Sequence, residues 1–113
     1  MKKKDDTVYL KHILDAISLI EEYTNGMTYD DFIDNHLVQD GVIRQIQIIG
    51  EATKRLSNSL KEKNKQIPWR DITGMRDKLV HDYLGVDLDA VWYTIEKDIP
   101  SLKSKIKKIL EKS

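Results

Sequence analysis

An all-α fold, a four- to five-helix up-and-down bundle, is what three features of this 113-residue sequence predict. Apolar residues recur at three- and four-residue spacing through every long segment. Polar breaks fall at Asn25-Gly26, at Asn64–Ile67 before Pro68, and at Leu84-Gly85 before Asp87. The length suits one hydrophobic core rather than two, so residues 1–113 are expected to form a single domain.

The first helix is expected from about Asp5 to Thr24, with Leu10, Ile13, Leu14, Ile17 and Ile20 on one face. Asn25-Gly26 ends it in the manner of a helix C-terminus. Thr28 reads as the N-cap of a short helix through Asp34, and Asp31 stands where a capping box places its acid. His36 falls near that helix's end and reads as a surface or cap residue. The second long helix is expected from about Gln39 to Lys63. Its Val42, Ile46, Ile49, Thr53, Leu56 and Leu60 alternate four and three apart, a coiled-coil-like seam. Ile43 and Ile48 add apolar surface off that seam, which suggests a subunit partner as well as the bundle. Gly50 inside it costs roughly 1 kcal/mol against alanine, and close approach of another helix, across a dimer, is the expected compensation. The third helix opens at Pro68 with Trp69 as a packing anchor, carries Ile72, Met75 and Leu79 on its apolar stripe, and ends near Leu84-Gly85. Asp87 caps the fourth, whose core face is Leu88, Val91, Trp92 and Ile95. Pro100 kinks or restarts that helix, and Leu102, Ile106, Ile109 and Leu110 continue its stripe beside Lys103, Lys105, Lys107 and Lys108.

Composition excludes several function classes. There are 19 basic and 19 acidic residues, so indiscriminate nucleic-acid binding, which needs a clustered excess of cations, is not expected. The charge is nevertheless split. Residues 1–40 carry 4 basic and 9 acidic side chains, and residues 41–81 carry 9 and 4. A local phosphate-binding cleft in the basic middle remains allowed. With no cysteine, disulfides and thiolate metal sites are out of reach. His12, His36 and His81 form no pair at ligand spacing, so neither a metal nor another cofactor is expected. No apolar run is long enough to span a membrane, and Met1-Lys2-Lys3-Lys4 leads straight into Asp5-Asp6 rather than a signal sequence. A cytoplasmic protein is the expectation.

The chemistry-bearing stretch is Arg76-Asp77-Lys78-Leu79-Val80-His81-Asp82-Tyr83. Arginine is a permanent cation whose planar fork of donors fits phosphate oxygens. Histidine can take and return a proton near neutral pH. Together they suffice for phosphodiester cleavage without a metal, because RNA brings its own 2′-hydroxyl as nucleophile. Geometry limits this. In a straight helix Arg76 and Tyr83 share a face, whereas His81 lies roughly 140° round the axis from Arg76. Either the helix loosens near His81 or a second copy of the chain completes the site. Asp77, four residues before His81, could orient the imidazole. By spacing alone, Tyr83 could equally be a core-edge aromatic and Arg76 a surface ion-pair partner.

The run Arg-x4-His-x-Tyr, with Trp69 and Gly74-Met75 before it and Val91-Trp92 after it, resembles the HEPN superfamily, and within it the HepT-like branch. The resemblance runs from about Tyr9 to Ile106 and includes Ile43-Arg44-Gln45 through Ile49-Gly50-Glu51-Ala52. It implies a homodimeric, metal-independent endoribonuclease toxin of a type VII-like toxin–antitoxin pair, with arginine and histidine of both subunits lining a cleft. It also implies a minimal nucleotidyltransferase antitoxin that can adenylylate the motif tyrosine. Carried over, Arg76 and His81 would be the catalytic residues, Asp77 a supporting residue and Tyr83 the site of modification. The alternative is a non-catalytic helical module that docks a nucleotidyltransferase and helps bind its substrate.

Overall fold

The computed structural model describes the backbone of residues 2–81 and 85–112 and the side chains of residues 5–79 and 85–112. The described chain is all-α and contains no strand. Its helices are α1 (Lys2–Thr24), α2 (Tyr29–Ile33), α3 (His36–Arg55), α4 (Asn58–Lys63), α5 (Trp69–His81), α6 (Leu88–Tyr93) and α7 (Ile99–Glu111). The shortest axis of the molecule, 20 Å, is about two helix diameters, so the bundle is two layers deep. None of the helices is long and apolar enough to cross a membrane, among the described residues.

Helix α3 is the central element, packed on α1 along one side and on α5 along another. Its seam is buried from Val42 through Ile46, Ile49 and Thr53 to Leu56, and Ile43 is buried as well. Thr53 is tolerated in that seam because its hydroxyl donates to the Ile49 carbonyl at 2.7 Å. Against it α1 sets Leu10, Ile13, Ile17 and Ile20, all almost fully buried. Gly26, at φ +76°, takes the left-handed conformation that closes α1. The capping box on α2 is formed as its sequence indicates, Asp31 N–H donating to Thr28 Oγ1 and Thr28 N–H to Asp31 Oδ2. Buried Gln39 then ties α2 to α3 by donating to the Phe32 and Ile33 carbonyls.

His36 is exposed, as a surface residue should be, and it opens α3, which Asn35 caps by accepting from Val38 N–H. One expectation needs correction: the helix expected over 39–63 is broken, because α3 stops at Arg55 and α4 starts at Asn58. The break is set from α1. Asp6, itself buried, accepts from both the backbone N–H and the hydroxyl of Ser57, while Ser57 Oγ caps α4 at Leu60 N–H. The close helix approach expected at Gly50 is made to Arg76 of α5 in the same chain.

Past Asp87, which caps α6 by accepting from Asp89 and Ala90 N–H, the helix does not simply kink at Pro100. Thr94–Asp98 is a π-helical turn in which Ile99 N–H donates to Thr94 O, and Pro100 lies in the first turn of α7. Proline brings no N–H for the carbonyl four residues back, so a wider turn and a restart accommodate it. Trp92 closes this end against Phe32, ring centroids 5.2 Å apart. Lys103 pairs with Glu21 at 3.0 Å, and Lys105 donates to the Gln66 carbonyl at 3.2 Å.

Candidate active site

Helix α5 is placed from both ends of its first turns. Pro68 supplies the carbonyl that accepts Ile72 N–H, and the Trp69 indole N–H donates to the Lys61 and Asn64 carbonyls at the end of α4. Ile72 and Met75 pack half-buried on the core and Leu79 is buried in it. Arg76 flanks that stripe where α5 meets Gly50 of α3, and Asp77 follows it toward Lys54.

Gly50 is what admits Arg76. A Cβ at residue 50 would lie 2.1 Å from Arg76 Cβ and 2.6 Å from its Cγ, so the arginine stem occupies the space that any side chain would need. The guanidinium then emerges beside the last turns of α3, with 26 % of the side chain exposed. One of its terminal nitrogens is 3.0 Å from Glu51 Oε2, and the other is 3.0 Å from Asp77 Oδ1. Asp77 Oδ1 also accepts from Lys54 Nζ at 2.7 Å, and Glu51 Oε1 lies 4.0 Å from Arg55 Nε. Five charged side chains from two helices thus form one network, three cations against two carboxylates.

Charge in this network follows from the contacts. The hydrogen bond from Lys54, and then that from Arg76, hold the Asp77 carboxyl below its ordinary range. The hydrogen bond with the Tyr9 hydroxyl, and after it the charge of Glu51, raise the Arg55 guanidinium above its ordinary value. Asp77 accepts a hydrogen bond from the Arg76 guanidinium and Glu51 pairs with it by charge, which positions the group and leaves further N–H donors for an incoming anion. Such a cation suits a phosphodiester whose negative charge grows during reaction.

Among the sequence-identified residues, Arg76 and Asp77 come together directly. Asp77 was expected to orient His81; the described partners of its carboxylate are Lys54 and Arg76. His81 is the last residue of α5, and its side chain lies outside the described residues, as does Tyr83 altogether. Glu51, not among the residues singled out from the sequence, is a direct partner of Arg76. The one signal pointing to it was the glycine before it, a costly residue at mid-helix. Among the described residues no three histidine or acidic side chains converge as a metal site would require. A separate cavity of about 380 Å³ lies between α3, α5 and α7, floored by Ile46 and Ile49 and walled by Ile72, Met75 and Leu102. None of the five network residues lines it.

No solved structure matches this sequence. A relative from Thermococcus cleftensis, named "Probable ribonuclease HepT", is 46 % identical over 107 residues, covering 95 % of this chain and 97 % of its own. One from Caldanaerobacter subterraneus subsp. tengcongensis, named "Putative RNase TTE0752", is 41 % identical over 104 residues, covering 92 % and 93 %. In Methanocaldococcus jannaschii, "Gamma-glutamylcyclotransferase and putative RNase MJ0434" is 51 % identical over 109 residues; these are 96 % of this chain but 49 % of that protein, so the chain spans about half its length. The profile of the family described as Ribonuclease HepT-like matches residues 13–109, so the chain belongs to the HepT-like ribonuclease family.

Proposed function

We propose that this chain is a metal-independent endoribonuclease and the toxin of a toxin–antitoxin pair. The observation that carries the reading is the setting of Arg76. The motif arginine is seated on a glycine, held by two carboxylates and left open to solvent five residues before His81. In this mechanism His81 removes the proton from a ribose 2′-hydroxyl, and the 2′-oxygen attacks the adjacent phosphorus. The P–O5′ bond breaks, leaving a 2′,3′-cyclic phosphate, and the 5′-oxygen leaves with a proton returned by histidine. Arg76 neutralises the charge that builds on the phosphoryl oxygens. A second copy of the chain supplies the complementary arginine and histidine across a cleft. Neutralisation is by a small nucleotidyltransferase antitoxin, which transfers adenylate from a nucleoside triphosphate to the Tyr83 hydroxyl with release of pyrophosphate. Both act in the cytoplasm.

One observation favours a second reading, a non-catalytic module that docks a nucleotidyltransferase: Arg76 is already engaged by Glu51 and Asp77 and would have to exchange a partner to receive phosphate. RNA cleavage by the purified protein in EDTA, beside His81→Ala and Arg76→Ala, separates the two. The nuclease reading expects wild-type cleavage that survives chelation, yields 2′,3′-cyclic ends and disappears in both variants. No cleavage of tRNA or mRNA by the wild type selects the docking module, and equal cleavage by all three proteins rules out this site.

A further inference from the structure

The ionic network does not end on α3. The guanidinium carbon of Arg55 lies over the Tyr9 ring on α1, 5.9 Å from its centre. Tyr9 in turn meets the His12 ring edge-on, centroids 6.0 Å apart. Tyr9 is half-buried, while His12 and Arg55 are exposed. The core face of α1 is built by Leu10, Ile13, Ile17 and Ile20, and the Tyr9–His12 pair lies beside that face rather than in it. An unbroken strip of side chains therefore runs from Arg76 through Glu51 and Arg55 to the two rings. Exposed Asp5, one turn before Tyr9, bounds its far end.

We propose that Tyr9, His12 and Arg55 form a subsite for single-stranded RNA, one nucleotide along from the phosphate held at Arg76. The proposal rests on the ribonuclease reading and extends it. Arg55 and Arg76 flank the same Glu51 carboxylate, 4.0 and 3.0 Å from its two oxygens, so one acidic side chain brings two cations side by side, enough for two successive phosphates. Beyond Arg55 the chemistry changes from charge to rings, as a strand needs when its phosphate is followed by a base. An unstacked base can lie on an aromatic side chain; a base inside a duplex cannot, so the subsite selects single strands. With three cations offset by two carboxylates, binding depends on these few contacts rather than on bulk charge.

The test is binding of a short, fluorescently labelled single-stranded RNA carrying 2′-O-methyl groups, which cannot be cleaved. Tyr9→Leu is expected to weaken it about tenfold, the scale of one base on one ring. Arg55→Gln is expected to weaken it and to lower the salt dependence by about 0.7 in log–log slope, one phosphate contact on a single strand. In cleavage assays the same changes should raise KM more than they lower kcat. Equal affinity in wild type, Tyr9→Leu and Arg55→Gln overturns the subsite, and so does absence of binding by the wild type. Should Tyr9→Leu fail to fold, photo-crosslinking of thiouridine-substituted RNA to the unaltered protein decides: crosslinks at Tyr9 or His12 support the subsite, and crosslinks confined to other helices overturn it. RNA binding through Tyr9 and Arg55 without any cleavage would sink the nuclease reading and leave the subsite standing. Cleavage that ignores both residues would do the reverse.

Discussion

A methyl group on residue 50 would sit 2.1 Å from the Arg76 Cβ, an atom anchored directly to the α5 backbone. No rotamer change can clear such a contact, so α5 would have to move. Gly50→Ala gains roughly 1 kcal/mol of helix propensity but incurs an overpacking cost of about 1–3 kcal/mol, and the second effect is expected to win. Gly74, on the same helix as Arg76, has nothing within 4 Å of its would-be Cβ. Gly74→Ala should therefore stabilise by about 0.5–1 kcal/mol. Urea denaturation midpoints should move in opposite directions for the two variants, and RNA cleavage should fall only for Gly50→Ala. Gly50 was conspicuous in the sequence as a glycine within a helix, yet the partner it makes room for was not. Glu51 was legible still less, because a glutamate followed four residues later by an arginine describes an ordinary helix surface. Its bond to Arg76 exists only once α3 and α5 are side by side.

At the level of elements, local chemistry was readable and tertiary selection was not. Thr28 and Asp87 cap the helices their surroundings indicate, and Pro100 interrupts the last helix as its missing N–H requires. The break after Arg55 could not be read, since the apolar rhythm runs on through Leu56 to Leu60 without a pause. What decides it is Asp6, fifty-one residues away, which takes both donors of Ser57. Ser57 holds two posts, cap of α4 and partner of a buried carboxylate. Ser57→Ala keeps the backbone donor and loses the hydroxyl, so it is expected to cost about 1–2 kcal/mol, measurable as a lower denaturation midpoint. A loss below a few tenths would mean that the junction is held by apolar packing alone.

For the whole molecule, an all-α bundle was foreseeable from the amphipathic segments. The off-seam Ile43 and Ile48 suggested a subunit partner, and Ile43 proves to be buried within the chain itself. Association is testable through function. If each reaction centre takes Arg76 from one copy and His81 from the other, a mixed dimer of Arg76→Ala and His81→Ala contains one intact centre. Unfolding and refolding the two inactive proteins together should then restore about a quarter of the wild-type rate, since roughly half of the dimers are mixed and each has one of two centres. No recovery, with dimers present by light scattering, would overturn a centre built from one copy's Arg76 and the other's His81 alone.

The contact between Gly50 and Arg76 also bears on how genes of this kind are read in genomes. A search pattern built on the arginine and histidine alone would accept a copy in which residue 50 had acquired a side chain, although that copy could no longer seat the arginine. On the nuclease reading, the signature in this chain is therefore longer than the motif: it begins with a glycine followed by a glutamate, and only twenty-six positions after that glycine reaches the arginine. On that reading, telling working copies from decayed ones calls for inspecting α3 before α5.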